Sequence, residues 1–144
     1  MQITSLSLSA FRNYAQLALP DLPGGLIALV GPNGAGKTNI LEAISMLAPG
    51  RGLRNADLVD LQSRDFAANT QPWGIHARLI GRYGPQEMGV GLDPLTNRRQ
   101  VRLNGEALKS SAERGDLMRC VWLTPAHDRL FLDAASARRK LLDR

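Results

Sequence analysis

The sequence predicts an α/β fold in which a mixed sheet carries one packed helix and a flanking layer of antiparallel strands. Residues 26–30 form a short, continuous apolar run, typical of a central strand covered on both faces. A glycine-rich loop follows, and from Thr38 apolar residues recur at helical spacing until Pro49 and Gly50. Later segments alternate apolar and polar residues, as strands with one buried face do.

Strand candidates precede and follow this central unit. Leu6 and Leu8 alternate with serines, and residues 14–19 are expected to pair with that strand. Three later segments predict an antiparallel meander that closes at an Asn-Gly turn. They are residues 75–79, 88–92 and 100–103.

The remaining segments are less regular. Residues 119–123 are apolar and predict a second buried strand. One or two helical turns are expected within residues 56–62, and helical structure is expected in part of residues 107–118 and in residues 136–144.

Composition limits the classes of protein that fit. The 144 residues, 44% of them hydrophobic, suit one folded unit. Cys120 is the only cysteine, which excludes an intrachain disulfide and favours the cytoplasm. Neither a secretory signal nor a membrane-spanning run is visible.

The charge is unevenly distributed. Residues 1–97 contain 7 basic and 7 acidic side chains, whereas residues 98–144 contain 11 and 6, which accounts for the net charge of +5. This excess fits either a solvated, arginine-rich surface or a patch that binds nucleic acid.

The chemistry of the sequence is concentrated in a phosphate-binding loop, or P-loop, over residues 31–38. The pattern G-x-x-x-x-G-K-[ST] is matched at every defined position. Its residues are Gly31, Pro32, Asn33, Gly34, Ala35, Gly36, Lys37 and Thr38. Glycines let backbone amides approach phosphate oxygens, the lysine adds a positive charge, and the threonine hydroxyl is a ligand for Mg²⁺. The motif therefore predicts binding of a nucleoside triphosphate, ATP with magnesium.

Hydrolysis needs further residues. A second magnesium ligand and a water-positioning group usually follow a strand of four apolar residues that ends in acidic ones. Residues 58–60 are too short for such a strand, and residues 121–123 lead into Thr124 and Pro125. No catalytic residue is therefore assigned, and we expect this chain alone to hydrolyse little or no ATP.

Several motifs together resemble the ABC-type ATPase heads of SMC-like proteins, and more narrowly the RecF family of recombination mediators. The P-loop continues into Asn39 and a Leu-Glu-Ala-Ile helix, and four further segments match in order. They are Phe11-Arg12-Asn13-Tyr14, Gly50-Arg51-Gly52-Leu53-Arg54, Val101-Arg102-Leu103-Asn104-Gly105 and the segment from Ser136 to Arg144.

The resemblance implies an ATP-dependent DNA-binding protein of DNA replication and recombinational repair. Such proteins form a homodimer around ATP and work with RecR and RecO to direct RecA onto gapped DNA. It also implies that Arg12 contacts the nucleotide, that residues 33–39 cradle its phosphates, and that Arg51 and Arg54 approach nucleotide or DNA. The alternatives are a surface arginine at a strand end and an ordinary solvated loop.

The sequence also departs from the family pattern. Asp133, Ala134 and Ala135 stand where a glycine and a proline usually precede Arg138 and Arg139. The signature segment and the Walker B strand are not found in the sequence. The switch histidine is not found either, since His76 and His127 lie too early in the chain. Residues 1–144 are accordingly expected to be the N-terminal part of an ABC-type head whose continuation is missing.

Three other classes share the P-loop. A small P-loop kinase would have a parallel sheet after the first helix, where antiparallel strands are expected here. A transporter ATPase subunit would have a glutamine-bearing loop where Pro125 and His127 stand. An SMC-like chromosome-structure or repair protein is the nearest alternative, and a long heptad region after the head would reveal it.

Overall fold

A computed structural model describes residues 1–63, 71–82, 84–108, 115 and 117–125. Several predictions concern other residues. The helix over residues 136–144, the turn at residues 133–135, His127 and the arginines 138 and 139 lie outside the described residues.

The described residues form a six-stranded sheet in which every neighbouring pair is antiparallel. The strands are β1 (Gln2–Phe11), β2 (Tyr14–Leu19), β3 (Gly74–Gly81), β4 (Gly84–Asp93), β5 (Arg98–Leu103) and β6 (Glu106–Ala107). Their order across the sheet is β2-β1-β3-β4-β5-β6. The predicted pairing of residues 14–19 with the first strand and the predicted meander are both confirmed.

One helix, α1 (Lys37–Leu47), covers the inner face of this sheet, as predicted. Alternate residues of the strands and one side of α1 form a single buried cluster, because strand side chains alternate between the two faces. It includes Leu6, Leu8, Ala43, Met46, Leu47, Ile75, Ala77, Leu79, Met88, Val90 and Val101. No helix in the described part of the chain is long and apolar enough to cross a membrane.

A short 3₁₀ helix, Leu58–Leu61, confirms the turn expected within residues 56–62. Trp73 anchors this segment, since its indole Nε1 donates to the Leu58 carbonyl at 2.7 Å. The same ring meets Phe11 edge to face, with ring centroids 5.7 Å apart. The 3₁₀ helix is thereby held against the end of β1.

Two strand predictions are wrong. Residues 26–30 and 119–123 have no ladder pairing to any described residue, so the sheet that the described residues form is antiparallel rather than mixed, and residues 26–30 are not at its centre. Leu26 is 99% exposed and Val30 is 92% exposed. An apolar run predicts burial, but a strand also needs a neighbouring chain for its backbone hydrogen bonds, and the run does not identify one.

Helical structure is expected in part of residues 107–118, of which residues 109–114 and 116 lie outside the described residues. Ala107 ends β6 instead, paired with Arg102. Gly115 and Leu117 are helical.

Candidate nucleotide-binding site

The P-loop connects residues 26–30, which belong to no helix or strand, to the N-terminus of α1. Gly34 and Gly36 have φ angles of +84° and +94°, a left-handed conformation that favours glycine. The Gly36 carbonyl accepts from the amides of Asn39 and Ile40 at 2.8 and 3.1 Å, which starts the helix. The first amides of a helix lack intrahelical partners and carry a partial positive charge, so this end of α1 suits an anion.

Lys37 and Thr38 occupy the first turn of α1. The Lys37 ammonium donates to the carbonyls of Gly31 and Pro32, both at 2.7 Å. Its charge is therefore held over the P-loop. The Thr38 side chain is exposed at the same end of the helix. The structure thus brings the predicted amides, ammonium and hydroxyl together.

The P-loop is packed against the turn between β1 and β2. The Tyr14 hydroxyl donates to the Ala35 carbonyl at 3.1 Å. The Asn39 amide donates to the Asn13 side-chain oxygen at 2.7 Å. A Cβ atom at Gly36 would lie 2.5 Å from the Tyr14 hydroxyl oxygen, closer than real Cβ contacts occur. Gly36 is therefore needed for packing as well as for its φ angle.

A buried carboxylate, Glu42, lies about one turn of α1 after Asn39 and is 1% exposed. Arg12 donates to both of its oxygens, from Nε at 2.9 Å and from Nη2 at 2.7 Å. Arg54 donates to Glu42 Oε2 at 2.6 Å and to the Asn39 side-chain oxygen at 2.7 Å. Bidentate arginine–carboxylate geometry of this kind is both strong and directional. Two arginines distant in sequence thus fix the middle of α1.

The structure places Arg12 on Glu42 rather than over the P-loop. Its third nitrogen, Nη1, donates to the Asp60 carbonyl at 2.9 Å. A contact between Arg12 and nucleotide stays a prediction. Sequence analysis missed Glu42 as a site residue, although it is the only acidic residue in α1 and that was a usable signal.

Arg51 and Arg54 lie in different surroundings. Arg54 joins the Glu42 cluster, whereas Arg51 lines a separate cavity of about 550 Å³ beyond the C-terminus of α1. Arg119 and Cys120 line the same cavity. Burial raises the pKa of the Cys120 thiol above its ordinary value. This cavity and the P-loop lie at opposite ends of α1.

Comparison with known proteins agrees with this geometry. A family model described as "AAA domain" matches residues 5–84. The DNA replication and repair protein RecF of Mesorhizobium japonicum is 46% identical over 144 residues, covering 99% of this chain and 37% of that protein. RecF of Rhizobium leguminosarum bv. trifolii is 45% identical, covering 100% of this chain and 38% of that protein. The chain belongs to the AAA domain family and is similar over its whole length to the N-terminal part of RecF proteins.

Solved structures show the same fold. A recombination mediator protein RecF-ATP structure matches with a TM-score of 0.79 at 24% identity, over 99% of this chain and 38% of that one. The SMC head domain from Thermotoga maritima matches with a TM-score of 0.65 at 18% identity, over 93% of this chain and 52% of that one. The predicted fold class, the N-terminal lobe of an ABC-type ATPase head, is confirmed. The chain spans less than two fifths of the RecF relatives' length and corresponds to their N-terminal part.

Proposed function

We propose that this chain binds ATP with Mg²⁺ through residues 31–39, as part of an ATP-dependent DNA-binding protein of DNA replication and recombinational repair. The observation that carries the proposal is the P-loop itself. Its glycines turn the backbone into the N-terminus of α1, with the Lys37 ammonium held over the P-loop at 2.7 Å from two carbonyls. The match to the AAA domain model and the similarity to RecF proteins support the same conclusion.

Each P-loop residue has a role in this proposal. The backbone amides of residues 33–38 donate to phosphate oxygens, and Lys37 exchanges its two carbonyl partners for the β- and γ-phosphates. A hydroxyl is a suitable oxygen ligand for Mg²⁺, so the exposed Thr38 fits the metal's donor preference. The ion, when bound, would neutralise charge on the phosphates. Asn39 fixes the P-loop through Asn13.

The arginines take a supporting role. Arg12 and Arg54 are both engaged with Glu42, so either would give up part of a charge-assisted contact to reach a nucleotide. We therefore propose that Arg12 acts on the nucleotide chiefly by fixing α1. A direct contact would require a rearrangement on binding.

The DNA partner is proposed from charge and family together. The excess of basic residues lies in residues 98–144, and neutralising phosphates is the usual source of nucleic-acid affinity. A matched RecF structure is described as acting in the RecFOR pathway. We extend that to this chain as a proposal: an ATP-dependent homodimer in the cytoplasm that works with RecR and RecO to place RecA on gapped DNA.

Nucleotide binding is tested by calorimetry with ATP and Mg²⁺. Lys37→Ala removes the ammonium and should weaken ATP binding by at least about tenfold, as expected for a charge-assisted contact to phosphate. Arg98→Ala removes a positive charge on the exposed face of β5 and should leave ATP affinity unchanged. Equal affinities for the two variants would refute the assignment of the P-loop.

DNA binding is tested with the whole protein, with and without ATP, at several salt concentrations. We expect ATP to raise DNA affinity, and the logarithm of the affinity to fall linearly with the logarithm of the salt concentration. DNA affinity that does not respond to ATP would contradict the RecF-type function while leaving nucleotide binding intact.

A further inference from the structure

The C-terminus of α1 is held by an arginine from β5, the strand next to one edge of the sheet. Arg99 lies on β5, and its Nη1 donates to the Gly50 carbonyl at 2.6 Å. Its Nη2 donates to the Ala48 carbonyl at 2.8 Å and also to the Met46 carbonyl. One guanidinium therefore meets three carbonyls at the end of the helix.

These contacts provide hydrogen-bond donors and a positive charge that the sequence of α1 does not place at its own C-terminus. The last carbonyls of a helix have no intrahelical partners and carry a partial negative charge. The last turn of α1 has no basic residue, and the chain leaves the helix in an extended conformation at Ala48. Arg99 provides both the donors and the positive charge, although it lies about fifty residues later in the chain.

The position of α1 along its axis also fixes the P-loop, because the loop runs directly into the first turn of the helix. α1 has eleven residues and is therefore about 16 Å long, short enough to move as one rigid body. Glu42 holds its middle through Arg12 and Arg54, and Arg99 holds its C-terminal end.

We propose that Arg99 is a positioning residue for the nucleotide site, acting through α1 on the P-loop at the opposite end of the helix. This inference rests on the proposed function for its effect on ATP. Its effect on the P-loop backbone can be measured without nucleotide.

The test compares Arg99→Gln, Arg99→Lys and the matched control Arg98→Gln in the full chain. Arg98 is the preceding residue on β5 and is exposed on the other face, so it makes none of these contacts. Amide hydrogen exchange is followed at residues 33–40 and 45–50, and ATP affinity is measured by calorimetry. We expect Arg99→Gln to speed exchange in both segments and to weaken ATP binding about fivefold, with Arg99→Lys between it and the unsubstituted chain.

The outcomes separate the two proposals. Faster exchange at residues 45–50 alone, with unchanged exchange at residues 33–40, would reduce Arg99 to a local cap and overturn the inference. Failure of the unsubstituted chain to bind ATP would overturn the proposed function, and the exchange pattern would still decide the role of Arg99. If Arg99→Gln does not fold, the same comparison between Arg99→Lys and Arg98→Gln decides it.

Discussion

At the scale of single residues, Gly36 has two separate reasons to be glycine, whereas Gly34 has one. Both have positive φ angles, but a Cβ atom at Gly34 would meet nothing within 4 Å. At Gly36 it would meet the Tyr14 ring and the Asn13 amide at 2.5 to 2.8 Å. The contact with the β1–β2 turn therefore distinguishes the two positions.

Alanine at the two glycines should separate these causes. Gly34→Ala should cost about 1 kcal/mol of unfolding free energy, because alanine is strained in the left-handed backbone conformation that this position adopts. Gly36→Ala should cost at least about 2 kcal/mol more, because the β1–β2 turn must also shift. Urea denaturation of both variants gives the comparison. Equal losses would mean that Tyr14 does not pack on the P-loop.

A second prediction concerns Asp93, at the turn between β4 and β5. The amide of Leu95 and the hydroxyl of Thr96 donate to its two carboxylate oxygens, at 2.9 and 2.8 Å. These hydrogen bonds, that from Leu95 first, lower the pKa of Asp93 below its ordinary value. Because the folded-state pKa is lowered, the contribution of Asp93 is present above the unfolded-state pKa and is lost as pH falls through the folded-state value.

Asp93→Asn should accordingly show its largest stability difference from the unsubstituted chain near pH 7. That difference should shrink below about pH 4, near the unfolded pKa of aspartate. Unfolding free energies measured by urea titration between neutral and acidic pH check this. Parallel curves over the whole range would show that Asp93 does not titrate differently in the folded state.

The residues of the P-loop could be predicted because the motif is local. Spacing alone placed Gly36, Lys37 and Thr38 at the start of a helix, and the structure places them there. The contacts of Tyr14 and Asn13 could not be predicted, since they join residues more than twenty positions apart and depend on how the β1–β2 turn meets α1.

At the scale of secondary-structure elements, α1 is fixed by charge as well as by apolar packing. Glu42 lies in the core with Arg12 and Arg54 on its two oxygens, while Glu87 forms an exposed pair with Arg78 at 3.0 Å. A buried carboxylate that loses its charge leaves its partners uncompensated, whereas an exposed pair exchanges easily with water.

Neutralising the two glutamates should therefore give unequal results. Glu42→Gln should lower the unfolding free energy by about 3 kcal/mol. Glu87→Gln should change it by less than about 1 kcal/mol. Thermal and urea denaturation give both values. Comparable small losses would argue that the charges of the Glu42 cluster add nothing to stability beyond packing. ATP binding by Glu42→Gln would then be unaffected.

The elements themselves followed from hydrophobic periodicity. Alternation predicted strands β1, β3, β4 and β5, and helical spacing predicted α1, because each pattern reports which side of an element is buried. The Glu42 cluster was not predicted, because periodicity does not show which distant charges meet a buried carboxylate.

At the scale of the whole molecule, the buried cluster of the six-stranded sheet and α1 contains no residue of 26–30 or 119–123, although Leu29 and Cys120 are partly buried against it. Sequence analysis placed both segments in the core because each is apolar. Val30 and Val121 are exposed, and so are Leu26 and Leu123. Their apolar composition predicted that these segments would be buried. Pairing in a sheet, however, depends on a neighbouring strand, which the local sequence cannot specify.

Two valines of equal size test whether the side chain of Val30 contributes to the core. Val90 on β4 is 3% exposed within the buried cluster, whereas Val30 is 92% exposed. Val90→Thr puts a hydroxyl into the core and should cost about 1 to 3 kcal/mol of unfolding free energy. Val30→Thr should change it by less than about 0.5 kcal/mol, because its side chain already faces water. A loss at Val30 as large as that at Val90, measured by urea denaturation of this chain, would place the side chain of Val30 inside the folded core after all.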